Sequence, residues 1–164
     1  LSEEIPAQAR ALFRLSSRRE DNFIAGLSMG GYGAFKSALR CPERFAAAAS
    51  LSGALDIGRR VEDSEKKGPG SDMALIFGDR PVRGSEDDLF ALAERLASRG
   101  DRKMPLYQWC GTEDHCYPEN VRFREHARSL GLDLTYEEGP GRHEWSYWDV
   151  QIRRVLEWLP LRTR

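Results

Sequence analysis

The hexapeptide Gly26-Leu27-Ser28-Met29-Gly30-Gly31 constrains this chain more than any other stretch, because it joins a short apolar run to a helical pattern with nothing in between. Asn22 to Leu27 is apolar and closes in small residues, as a buried parallel strand does. From about Gly30 to Arg40 the pattern turns helical and stops near Pro42. A strand that turns directly into a helix leaves no room for bulky side chains two residues before and after the turn, hence Gly26 and Gly30. Ser28 is thereby lifted clear of the backbone. The N–H of Met29 is expected at the helix start, where unpaired amides and the helix dipole favour a developing oxyanion. Gly31 and Gly33 are expected to let helix and sheet approach closely.

The rest of the chain repeats this alternation. Ile5, Ala9, Leu12 and Phe13 predict a helix over 5–14 that starts near Pro6. Residues 16–21 form a polar turn, and Phe45 to Leu51 is a second strand. Arg59 to Asp72 carries charges, glycines and a proline without a period and reads as a solvated excursion, part of an irregular region at about 54–84. Ser85 and Asp88 are expected to form a capping box before the stripe Leu89, Leu92, Ala93 and Leu96, with Gly100 ending that helix. Pro105 to Cys110 is a third strand. Pro118 opens a helix carrying Phe123, Ala127 and Leu130, and Asp133 to Glu138 alternates as a fourth strand. In the last helix Ser146 and Asp149 are expected to form a capping box, Trp148, Ile152, Val155, Leu156 and Leu159 share a face, and Pro160 closes it. The class is therefore α/β: a mostly parallel sheet covered by helices on both faces, with ligands bound beyond the carboxyl ends of the strands.

A serine hydroxyl is a weak nucleophile and needs a histidine base, itself oriented by a carboxylate. The chain has three histidines. His126 sits in a helix and reads as a packing or solvated residue. His115 follows a strand, close to the expected site. His143 lies in the loop after the last strand and before the last helix, where this architecture keeps its base. Asp114, just past the strand ending at Cys110, projects at the same sheet edge as Ser28, with Glu113 as its rival. Ser28, Asp114 and His143 follow one another in the chain order of α/β-hydrolases, which differs from that of other serine hydrolase folds.

Composition narrows the partners. The 164 residues fit one domain, and 25 basic against 26 acidic side chains leave a net charge of −1, with no overall field for nucleic acid or a membrane. Cys41, Cys110 and Cys116 are too few for a disulfide framework, favour a reducing compartment, by default the cytoplasm, and show no metal-site spacing. The expected partner is a small molecule.

The run Phe23-Ile24-Ala25-Gly26-Leu27-Ser28-Met29-Gly30-Gly31-Tyr32-Gly33-Ala34 resembles the tributyrin esterase branch of the esterase D-like family. Cys110-Gly111-Thr112-Glu113-Asp114 and Gly141-Arg142-His143-Glu144-Trp145-Ser146-Tyr147-Trp148-Asp149 are similar to its acid and histidine motifs. The resemblance implies the α/β-hydrolase fold and a serine carboxylesterase acting on short-chain acyl esters without cofactor or metal. It carries Ser28, Asp114 and His143 over as the catalytic triad. Acyltransferases share this fold, and a non-catalytic binding domain is the further alternative. Trp145 and Tyr147, flanking the histidine, line the substrate pocket or pack in the core. Family members carry several strands before the serine helix and take a second oxyanion N–H from an early loop. Residues 1–164 are thus expected to be the C-terminal portion of the catalytic domain, with an uncovered sheet edge open to self-association.

Overall fold

The computed structural model describes residues 3–66, 72–99 and 104–161. Four strands, β1 (Phe23–Leu27), β2 (Ala47–Leu51), β3 (Leu106–Gly111) and β4 (Leu134–Gly139), form one parallel sheet in that order. Gly26 pairs with Ser50, Leu51 with Trp109 and Gly111 with Gly139, so the loops that follow the strands gather at one end. The α/β-hydrolase architecture expected from the sequence is what the strands and helices build.

Helix α1 (Glu4–Leu12) precedes the sheet, and α2 (Met29–Arg40) links β1 to β2. Between β2 and β3 come α3 (Ile57–Glu65), α4 (Asp72–Phe77) and α5 (Leu89–Ser98). The link from β3 to β4 is α6 (Tyr117–Ser129), and α7 (Trp145–Trp158) follows β4. Strand side chains alternate between faces. Ala48 and Leu106 turn toward a core built with Phe35 and Leu39 of α2, Leu92 of α5 and Phe123 of α6. Ala49, Leu51, Tyr107 and Trp109 turn the other way, onto Trp148 and Val155 of α7. The alanines of β2 are fully buried, which settles its strand assignment: small side chains let helices come close on both sides.

Several local expectations change. Of the excursion at 59–72, residues 67–71 lie outside the described residues and 59–65 are helical: Ile57, Val61 and Ser64 make a buried stripe, and the Asp56 side chain caps α3 by accepting from the Arg59 N–H at 3.2 Å. Its period is visible only when Ile57 is counted with the charged run. Asp88 is itself the N-cap of α5, accepting from the Phe90 N–H, while Ser85 bonds within the preceding turn. The box at Ser146 and Asp149 does not form, because α7 already begins at Trp145 and both residues lie inside it. Within its apolar stripe Trp148 and Val155 are buried but Leu156 is 52% exposed. In α1 no residue is buried, and Ile5, Leu12 and Phe13 face solvent. Gly100 lies outside the described residues. No helix among the described residues is long and apolar enough to cross a membrane.

Candidate active site

At the end of β1 the chain reverses on a single residue. Ser28 has φ 53° and ψ −122°, a conformation that costs a non-glycine residue about 1–3 kcal/mol and persists only where its surroundings hold it. Here they do. The Ser28 N–H donates to Leu51 O at 2.9 Å, and its carbonyl accepts from the Tyr32 and Ala54 N–H groups. Gly26 is required by contact, since a Cβ there would lie 2.2 Å from Gly30 O. Gly31 is likewise pressed against Ser50 and Gly53, which lets α2 close on β2. The expectation fails at Gly30 and Gly33, where an added Cβ would meet nothing within 4 Å. Met29 opens α2, so its N–H has no intrahelical carbonyl partner.

The other two loops are tied to each other. Thr112 N–H donates to Gly139 O and Glu113 N–H to Gly141 O, and a Cβ on Gly111 would collide with Gly141 O at 2.2 Å. Asp114 and His143 are carried by these two loops. The Asp114 carboxylate is wholly buried, accepts from the Cys116 N–H at 2.8 Å, and lies 3.0 Å by either oxygen from His143 Nδ1. On the other side of the ring, Nε2 is 2.9 Å from Ser28 Oγ. With the proton on Nδ1 donating to Asp114, Nε2 is free to accept from the serine hydroxyl.

The remaining candidates are placed differently. Glu113 points away, toward Arg142 at 3.6 Å. His126 packs on Phe90 with Nε2 near the Phe90 carbonyl, a structural role. His115 stacks beside His143, ring centroids 4.3 Å apart, with its side chain 64% exposed. Trp145 is exposed and helps line an apolar cavity of about 230 Å³ with Leu27, Leu51, Trp148 and Ile152, whose wall includes none of Ser28, Asp114 and His143. Tyr147 instead packs against Gly141 and the α7 core.

Sequence reading missed the supports. Trp148 stands edge-on to His143 at 4.8 Å and donates from Nε1 to Ser52 Oγ at 3.0 Å. Asn120, fully buried, donates to Gly53 O and Cys116 O, joining the loop after β2 to the start of α6. A signal existed: Asn120 continues the stripe of Phe123 and Ala127, and an amide in an apolar stripe needs partners. Glu119 accepts from Arg60 and from the Asp56 N–H, fixing α3 against α6. Burial pushes the Cys116 thiol up to about 12 and the Cys110 thiol up as well, which keeps both protonated and removes them as rival nucleophiles.

The family model described as "Putative esterase" matches residues 1–159. The chain belongs to this esterase family. An acetyl esterase of Caldicellulosiruptor saccharolyticus is 32% identical over 97% of the chain and 62% of its own length. Among solved structures, the Staphylococcus aureus fluorophosphonate-binding serine hydrolase F is 34% identical with a TM-score of 0.81, over 95% of this chain and 60% of that one. The S-formylglutathione hydrolase of the same organism is 31% identical with a TM-score of 0.80, over 95% and 61%. The chain thus spans about three fifths of the length of these esterase-family relatives.

Proposed function

We propose that the full-length protein is a serine carboxylesterase that hydrolyses short-chain acyl esters. The observation that carries this reading is the unbroken hydrogen-bonded chain from Ser28 Oγ through His143 to the buried Asp114, at 2.9 and 3.0 Å. In the first half of the reaction Ser28 Oγ attacks the ester carbonyl as His143 Nε2 takes its proton, and Asp114 stabilises the imidazolium. The Met29 N–H donates to the oxyanion. The imidazolium then protonates the departing alcohol, leaving an acyl-serine. Water, activated by the same nitrogen, releases the acid and restores the hydroxyl.

The acetyl esterase relative supports a short acyl chain. A relative named for fluorophosphonate binding supports a serine nucleophile. The test is hydrolysis of p-nitrophenyl acetate, butyrate and longer esters by the full-length protein, with products analysed with and without added alcohol. Turnover falling with acyl length supports the reading. A product formed chiefly on the alcohol would replace hydrolysis by acyl transfer, and intact activity in Ser28→Ala would remove the mechanism.

A further inference from the structure

His115 has no part in the hydrolytic scheme, yet it stands against the catalytic base. We propose that Asp114, His115 and His143 form a binding site for a borderline divalent cation of the zinc class, and that occupying it turns the catalytic centre off. Three observations carry this. His143 Nδ1 lies 3.0 Å and His115 Nδ1 3.5 Å from the same atom, Asp114 Oδ1. Zinc bonds to imidazole and carboxylate of about 2.0–2.1 Å, set tetrahedrally, separate neighbouring ligand atoms by about 3.3 Å, between those two distances. Ligand atoms of all three residues, with the Cys116 thiol, fall within 4.8 Å of one another.

Access and support favour the same site. His115 is largely exposed, so a cation arrives from solvent, whereas the Asp114 carboxylate is buried beneath it. The Cys116 N–H holds that carboxylate in place, an outer contact of the kind that orients metal ligands. The Cys116 sulfur is buried and engaged by the Arg60 guanidinium at 3.2 Å. The ligand set is therefore two imidazoles and one carboxylate, with water completing the tetrahedron.

Inhibition follows from sharing one atom. To ligate the cation, His143 Nδ1 gives up its proton, and the neutral ring then carries a proton on Nε2. In that tautomer Nε2 donates and cannot accept the Ser28 proton, while Asp114 is drawn from the imidazole to the metal. No covalent bond to carbon changes and no electron is transferred. A chelator restores both groups.

Binding is independent of the esterase reading, whereas inhibition rests on it, so the two are measured separately on the full-length protein. Equilibrium dialysis with zinc should find one ion per chain, and His115→Gln should weaken it by about tenfold or more. In the ester assay, zinc should abolish turnover of the native protein reversibly with EDTA. His115→Gln, each rate being taken relative to its own zinc-free turnover, should lose zinc sensitivity in proportion to its lost affinity. Failure to bind zinc, or equal affinity in the variant, overturns the site. Zinc bound through His115 in a protein without ester turnover sinks the esterase reading and leaves the site standing.

Discussion

The two faces of the sheet are built to different depth. On one, α2, α5 and α6 with α3 and α4 enclose Phe35, Leu39, Leu55, Leu89 and Phe123, all at most 2% exposed, and Phe123 lies 5.5 Å from Phe35 and 5.6 Å from Phe90. On the other, among the described residues, α7 brings Trp148 and Val155 to the sheet, while Trp145, Val150 and Leu156 remain in solvent. Each fully buried side chain of this size stabilises by about 1.5–3 kcal/mol, so the first face carries most of the packing free energy. The candidate site straddles both. Ser28 is the N-cap of α2 and is bonded into the crowded face; His143 rests on Trp148 of the thin one.

The largest effects should come where the faces meet. In the full-length protein, Ser28→Ala or His143→Ala should lower kcat by about four to six orders of magnitude in an ester assay, since triad members act as a unit. His126→Ala, remote on the crowded face, should leave most of it. Asp114→Asn should lower kcat by about 10⁴-fold by favouring the wrong imidazole tautomer, whereas Glu113→Gln should be mild. A damaging Glu113→Gln would reassign the acid.

Stability should separate the faces next. Phe35→Ala should cost about 3–5 kcal/mol in urea unfolding, through lost burial and a cavity no neighbour can fill. Val155→Ala, under α7, should cost no more than about 1–3 kcal/mol. Equal losses would erase the distinction drawn between the faces.

A subtler probe is Trp148→Phe, which keeps a ring against His143 but removes the hydrogen bond to Ser52 Oγ. It should lower kcat by about ten- to a hundredfold through misplacement of the base, with KM little changed. The smallest effect is expected at Leu156→Glu, within about 0.5 kcal/mol of native stability. If the exposed stripe on α7 drives association of the 164-residue chain, the same change should lower its sedimentation coefficient; an unchanged coefficient would exclude that surface.

The sequence by itself determined the elements with strong local periodicity or steric necessity. Gly26 before Ser28 dictated the elbow because a Cβ there would come within 2.2 Å of the Gly30 carbonyl oxygen, and the alternation of strands and helices dictated a parallel sheet. It also nominated Ser28, Asp114 and His143, since loop position after a strand is a local property. Capping boxes misled because Ser85 and Ser146 have the right spacing to Asp88 and Asp149 but neither is the N-cap, which falls at Asp88 and Glu144, and a cap is chosen by where packing starts the helix. Helix α3 was hidden because its charged residues outnumber the three that face inward. Only the tertiary structure could decide what is assembled from distant parts: Asn120 spanning two loops, Trp148 bracing His143 from the next helix, and His115 sharing Asp114 with a histidine beyond β4. Those contacts join residues far apart in the chain, and their partners are selected by the register of the sheet, which no local pattern encodes.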